Sequence, residues 1–260
     1  MPSQSATAVG VKVASVAPDN PGRGLDKIQA LYIHFDAQTL SPRLLMDGTA
    51  LTTLRTPAVS VAAIKPVLLS SHAPLDVVVF GAGPEGAGHA ATLRDVVRGT
   101  RDIASVTFVV RHPERVDPGS LGAEARLVAA GSSAATVAVA AAQLIVCATG
   151  SAVPVFDSTI ARDDVVIVAV GSHDPDRREV DAQLCARAQV IVESRQSALR
   201  ECGDVVLAIA EDALDPASLV PMADVITGRV VLDPHQPVFF KGSGMAWQDV
   251  AVAQAVADAR

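Results

Sequence analysis

Short, almost wholly apolar runs recur along the chain at residues 77–80, 106–110, 144–148, 165–170 and 190–192, with helical or polar segments between them. Runs of this length without alternation are the signature of strands buried on both faces. Their rhythm predicts an α/β fold built on a Rossmann-type doubly wound parallel sheet. Residues 10–16 and 28–35 are rich in β-branched and apolar types, and the second run alternates in part, which predicts two further strands. After the turn Asp36-Ala-Gln-Thr-Leu-Ser-Pro42, a strand over 43–46 closes a hairpin. Asp47 is the predicted N-cap of a helix through Ala50, Leu51, Leu54 and Ala58, kinked at Pro57. Pro66 and the polar stretch Ser70-Ser71-His72-Ala-Pro74 mark the passage into the sheet. Residues 134–148 form the most apolar run; broken at Gln143 and too short to span a bilayer, it reads as a helix feeding a buried strand. From Pro237, Val-Phe-Phe leads to Lys241-Gly-Ser-Gly244 and a helix over 245–256.

The first of the buried runs continues into a glycine turn: Val77-Val-Val-Phe-Gly81-Ala82-Gly83-Pro84-Glu85-Gly86. Gly81 permits the turn, Gly83 lets the backbone approach a pyrophosphate, and Gly86 lets the following helix pack close to the strand. A lone G-x-G-x-x-G is weak evidence, but this one lies between a strand and a helix, the context a dinucleotide site requires. Enzymes that use NAD place an acid at the end of the second strand, on the ribose 2′-hydroxyl. Here that place reads Val109-Val110-Arg111-His112-Pro-Glu-Arg115. With no acid there and two arginines nearby, the stretch suits a 2′-phosphate, so NADP is the expected cofactor and NAD the alternative.

Composition narrows the rest. Aromatic residues make up only 3% while Ala and Val abound, which suits helices packed closely on a sheet rather than a β-sandwich. The net charge of -7 argues against a nucleic-acid partner. Cys147, Cys185 and Cys202 show no C-x-x-C spacing and read as reduced thiols. The start of the chain has neither a basic region nor an apolar one of signal-peptide type, so a cytoplasmic protein with no membrane partner is expected.

Ligands of open α/β sheets bind at the carboxyl ends of the strands. The later loops there are Ala148-Thr149-Gly150-Ser151 and Val170-Gly171-Ser172-His173-Asp174-Pro-Asp176-Arg177-Arg178-Glu179. The second is dense in ionisable groups, but no metal-ligand spacing is present and no metal is expected. Asp176 capping the next helix, with Glu179 as its capping-box partner, accounts for the acids and leaves His173 as a proton donor or acceptor. Ser243 lacks the G-x-S-x-G elbow of a hydrolase nucleophile, and a glycine turn approaching a ligand explains it better. Arg55 stands among small and apolar groups; it is either a bidentate clamp for a carboxylate or a surface residue.

With these residues assembled, the chain resembles the ornithine cyclodeaminase and mu-crystallin family. The resemblance rests on Gly-Val-Lys12-Val, Met-Asp-Gly-Thr-Ala-Leu-Thr-Thr-Leu-Arg55-Thr, Phe-Gly81-Ala-Gly-Pro-Glu-Gly86, Ala-Thr149-Gly-Ser, Val-Gly171-Ser-His-Asp-Pro-Asp-Arg-Arg-Glu179 and Gly244-Met-Ala-Trp-Gln-Asp249. It implies a smaller α+β oligomerisation and substrate domain made from both chain ends, residues 1–65 and 237–260. It also implies a Rossmann domain over 66–236 and a homodimer.

Carried over by position, Lys12 and Arg55 match residues that grip the substrate carboxylate, Arg55 also lying near the cofactor. Pro84 and Glu85 match the turn over the pyrophosphate, and Thr149 the next cofactor loop. Ile167, Val168, Ala169 and Val170 match the strand end under the nicotinamide. Arg177 falls where cyclodeaminases carry a cofactor-binding Lys, and Ser243 where a substrate contact lies. His173 stands where they carry a catalytic Asp, which counts against ring closure of ornithine. Similar family members also begin several dozen residues earlier. The expected activity is therefore an NAD(P)-dependent oxidoreductase of a small 2-imino or 2-amino acid, of the ketimine reductase or alanine dehydrogenase kind, with Lys12, Arg55 and His173 as its catalytic residues. A lyase that recycles its NAD internally and a dinucleotide-binding protein without turnover are the alternatives.

Overall fold

In the computed structural model, which describes residues 1–259 except Ala123 and describes Pro21 in its backbone alone, the chain divides into two compact units. One comprises residues 1–59 and 244–260, the other Ser60–Ser243. The first unit holds β1 (Pro2–Gln4), β2 (Ala8–Val16), β3 (Ile28–Asp36) and β4 (Pro42–Asp47), an antiparallel sheet in the order β1-β2-β3-β4. On β2 the inward positions are Ala8, Gly10 and Lys12, all buried, whereas Val13 is exposed.

Helix α1 (Gly48–Leu68) follows β4 directly. Its start is as the sequence predicts, with Asp47 Oδ1 accepting the amides of Thr49 at 2.8 Å and Ala50 at 3.1 Å. Its end is not. The helix runs through Pro57 and Pro66 to Leu68, so Pro66 lies inside it and does not mark the passage to the sheet. A proline in a helix interior costs about 3 kcal/mol. Burial of Val61, Ile64 and Leu68, at roughly 1.5–3 kcal/mol each, is large enough to hold the helix together across the break.

The second unit contains β5 (Leu75–Phe80), α2 (Pro84–Val97), β6 (Ile103–Val110), β7 (Ala125–Ala129), α3 (Ser133–Ala141) and β8 (Leu144–Cys147). Then follow β9 (Val166–Ala169), α4 (Ala182–Arg187), β10 (Gln189–Val192), α5 (Arg195–Glu201), α6 (Gly203–Ala210), β11 (Val220–Pro221), α7 (Met222–Ile226) and β12 (Val238–Lys241). The last helix, α8 (Ala246–Asp258), belongs to the first unit and packs on β1, β2 and β3. The eight strands of the second unit are all paired in parallel, in the order β11-β10-β12-β9-β8-β5-β6-β7. The chain leaves β5 in one direction and resumes with β8 on its other side, so the sheet reverses between those two strands.

The predicted buried runs are the central strands. No apolar run announces the edge strands: β7 has an arginine in a partly exposed segment, and β11 is two residues long. Strand β12 lies between β10 and β9, which moves residues 238–241 out of the chain-end domain expected over 237–260 and into the parallel sheet.

His89 on α2 couples this helix to α1. Its Nδ1 faces the Glu85 carbonyl at 2.7 Å and its Nε2 the Ser60 hydroxyl at 3.0 Å, so the ring donates at Nδ1 and accepts at Nε2 as a neutral imidazole. Burial pushes its pKa down to about 4. Between the unfolded value of about 6.5 and that folded value, the unfolded chain takes up a proton the folded one refuses, so stability falls with pH. We expect roughly 3 kcal/mol to be lost from this group as pH drops from 7 to 4. Urea titrations across that range on wild type and His89→Gln check it; the same pH slope in both proteins would assign the loss to other groups.

Candidate active site

At the end of β5 the backbone turns on Gly81, whose φ is +96°. A Cβ there would stand 2.5 Å from the Ala148 carbonyl oxygen, so both conformation and space demand glycine. Gly86 is held as tightly: an added Cβ would lie 2.1 Å from the Gly81 carbonyl oxygen, which shows how closely α2 approaches the strand it leaves. Gly83, between them, has nothing within 4 Å of that position. It is the N-cap of α2, with Pro84 in the first turn where a missing N–H removes no helix bond, and Glu85 beside it. Tight glycines on either side of an open one, ahead of a helix N-terminus, fit a pyrophosphate laid against backbone.

The turn opens on a cavity of about 720 Å³ at the point where the sheet reverses, lined by Gly81, Arg111, Thr149, Ser151, Val153 and Arg177 among others. Arg111 is exposed and has no hydrogen-bond or ion-pair partner among the described residues. The second arginine of that loop, Arg115, faces Glu114 at 3.9 Å and does not line the cavity. Arg177 donates to the Gly150 carbonyl, linking the two later loops. Ala82 is half-buried in the turn itself. Ile167, Val168 and Ala169 lie within β9 with their side chains in the core, and Val170 is buried just beyond them. The backbone of β9 is paired with β8 on one side and β12 on the other, so the expected contact under the nicotinamide is not displayed by side chains of these residues.

Glu179 does not complete a capping box with Asp176. The cap of α4 is Asp181, which accepts the Leu184 amide at 2.9 Å. Glu179 is wholly buried and bridges two loops: Oε1 accepts the Thr149 amide at 2.6 Å and hydroxyl at 2.7 Å, and Oε2 accepts the Gly171 amide at 2.6 Å. Burial raises its pKa, while Lys241 and the Thr149 bonds pull the other way. His173 is exposed on the loop between Gly171 and Arg177. Ser243 donates its amide, at 2.9 Å, and its hydroxyl, at 3.3 Å, to Glu193 Oε2. No cluster of potential metal ligands occurs among the described residues.

Lys12 and Arg55 come together within the first unit. Both are buried, at 4% and 8% exposure, which removes the surface reading of Arg55. Lys12 Nζ reaches Asp249 Oδ2 at 2.9 Å and the Thr52 hydroxyl at 3.1 Å. The Arg55 Nε lies 3.5 Å from Asp249 Oδ1, and Nη1 donates to Gln248 Oε1 at 2.9 Å. The guanidinium lies flat against Gly244, where a Cβ would come within 2.9 Å of Nη2. Two cations therefore converge on one carboxylate, leaving a positive excess suited to a small anion. In the sequence, Gln248 and Asp249 close the last of the motifs that carry the resemblance, with no role attached to them. That they are the buried face of α8 is the signal that marks them.

The model of the family described as "Ornithine cyclodeaminase/mu-crystallin family" matches residues 1–260. The Delta(1)-pyrroline-2-carboxylate/Delta(1)-piperideine-2-carboxylate reductase of Azospirillum brasilense is 30% identical over 266 residues, covering 100% of this chain and 79% of that protein. The iminosuccinate reductase of Paracoccus denitrificans, solved in complex with NAD+, is 27% identical with a TM-score of 0.79, over 97% of this chain and 77% of that one. The fold is also that of the Thermococcus litoralis Delta(1)-pyrroline-2-carboxylate reductase, solved with NADH and L-proline. There the TM-score is 0.82 at 24% identity, over 96% of this chain and 77% of that one. By its match from end to end, this chain belongs to the ornithine cyclodeaminase/mu-crystallin family.

Proposed function

We propose that this protein is an NAD(P)-dependent oxidoreductase that interconverts a small 2-imino acid and the corresponding amino acid, with cyclic imines of the pyrroline and piperideine carboxylate type as the substrate class. The observation that carries the reading is the pair of buried cations, Lys12 and Arg55, set on one carboxylate, in a chain that also has a glycine cradle fit for a pyrophosphate. A dinucleotide held in that cradle by its pyrophosphate would supply hydride-transfer chemistry at nicotinamide C4. Arg55 grips the substrate carboxylate through two parallel hydrogen bonds and Lys12 adds a point charge, which orients the substrate α-carbon. His173, exposed on its loop, exchanges the proton on the substrate nitrogen directly or through a water. Gly81 to Gly86, Thr149 and Arg177 hold the dinucleotide, and Ser243 completes the substrate contacts.

Oxidation of reduced nicotinamide on mixing with Δ1-pyrroline-2-carboxylate or Δ1-piperideine-2-carboxylate is the expected result. Ammonia release from a diamino acid with no net change in the cofactor would identify a lyase, and cofactor binding without either a protein that does not turn over. In the active enzyme, Arg55→Lys keeps the charge but loses the fork, and we expect kcat/KM to fall by about tenfold or more, roughly 1.4 kcal/mol, with the melting temperature little changed. Steady-state kinetics decide it, and wild-type turnover by a folded variant would remove Arg55 from the carboxylate site.

The cofactor reading favours NADP, because Arg111 lines the cavity without a partner and no acid stands at Val110. NADPH is expected to bind more tightly than NADH, and Arg111→Ala to narrow the gap by roughly 1.5–3 kcal/mol, as for a hydrogen bond to a charged group. Equal affinities of the wild type for the two cofactors would contradict this.

The chain ends form the oligomerisation domain of a homodimer in this reading. The sheet face opposite α8 is apolar and exposed: Val11, Ile33 and Leu45 lie side by side across β2, β3 and β4, and Val13 is paired with Leu31. Val13 and Leu45 are 65% and 67% exposed, more than an apolar sheet face tolerates without a cover. Sedimentation is expected to show a dimer at micromolar concentration, and Leu45→Lys to shift it toward monomer by at least tenfold in Kd. A well-folded wild-type monomer at that concentration excludes the assembly.

A further inference from the structure

Behind the cavity, a buried set of charges has no part in the chemistry just described. Lys241, at the end of β12, is fully buried and reaches Asp204 Oδ2 at 3.1 Å and the Ser172 carbonyl at 2.7 Å. Asp204, in the first turn of α6, accepts the amides of Glu179 at 2.6 Å and Val180 at 3.0 Å on Oδ1. Glu179 then reaches forward to Thr149 and Gly171 through the three bonds given above.

The loops are packed so closely that two glycines are obligatory. A Cβ on Gly171 would stand 1.9 Å from the Thr149 carbonyl oxygen, and one on Gly203 1.9 Å from the Arg177 carbonyl oxygen. Segment 171–180 is thus wrapped around Asp204 on one side and tied to Thr149 on the other. The carboxylate that ties it accepts three donors at once, and no neutral side chain of its size can do so.

We infer that Glu179, held by Asp204 and Lys241, is a positioning residue that presets the cofactor loop at Thr149 and the His173 loop in one arrangement before the dinucleotide binds. The inference rests on the oxidoreductase reading, since it assigns Thr149 to the dinucleotide. A preset loop costs the cofactor no ordering entropy, so loss of the tie should appear in cofactor affinity and not in affinity for the imino acid. Asparagine or glutamine in place of the acid puts an N–H against an N–H. Glu179→Gln therefore removes a buried charge and leaves at least one loop amide without its acceptor, which frees that loop.

The test combines kinetics with amide hydrogen exchange. In Glu179→Gln the KM for the dinucleotide should rise at least tenfold while that for the imino acid stays within twofold. The effect should shrink in a Thr149→Val background, which already lacks the hydroxyl bond to Glu179. In the cofactor-free wild type, the Thr149 and Gly171 amides should exchange slowly. Fast exchange there overturns the proposal even if the variant fails to fold. So do an unchanged dinucleotide KM, a parallel rise in both KM values, or additive effects in the double variant. A wild type that binds no dinucleotide in a fluorescence titration with NADH and NADPH overturns the oxidoreductase reading and this inference with it, whereas binding equal in wild type and variant overturns the positioning role alone.

Discussion

The carboxyl edge of the parallel sheet is governed by how closely backbone can approach backbone. Gly81 meets Ala148, Gly86 meets the Gly81 carbonyl, and Gly171 meets Thr149, each at a separation that leaves no room for a Cβ. A glycine inside regular structure costs roughly 0.5–1 kcal/mol relative to alanine, so its use at successive contacts has to be offset by what the close approach makes possible. Here it draws the ends of β5, β8 and β9 and the start of α2 together, around the point where the sheet reverses direction. A cavity opens there as a consequence of the packing, lined by backbone and by a few polar side chains that the same turns position.

Charge is buried in both units, and in each it is shared. An ion buried without a partner costs several kcal/mol, so Asp249 stands between Lys12 and Arg55, and Lys241 between Asp204 and the Ser172 carbonyl. The two sets differ in sign. The first has more cation than anion and is suited to a carboxylate ligand; the second has more anion than cation, and spends its surplus acceptors on backbone amides. Similar materials thus recruit a ligand in one place and hold loops in another. The difference lies in which donors surround the carboxylate.

The central strands and the glycine turn were legible because their signals are local. A strand buried on both faces must be apolar throughout, and a turn against a helix N-terminus must be glycine, whatever surrounds them. Helix α1 was legible at its start, where Asp47 caps it, and illegible at its end, because burial of Val61, Ile64 and Leu68 outweighs two prolines only in the folded protein. Glu179 read as a helix cap from its spacing to Asp176, yet its partners Thr149 and Gly171 are fixed by which loops the sheet brings side by side.

By itself, then, the sequence determined the α/β class, the order of the central strands along the chain, the cradle from Gly81 to Gly86, and the family to which its motifs point. Each depends on residues close together in the chain or on a pattern repeated along it. The tertiary structure alone decided that Arg55 is buried, that Asp249 and Gln248 from the far end of the chain are its partners, and that β12 enters the middle of the sheet. The bonds from Lys241 to Ser172, Arg55 to Gln248 and Lys12 to Asp249 span 69, 193 and 237 positions. No local pattern encodes such a pairing, because the energy that selects it is the desolvation of a charge, which arises only once the core has closed around it.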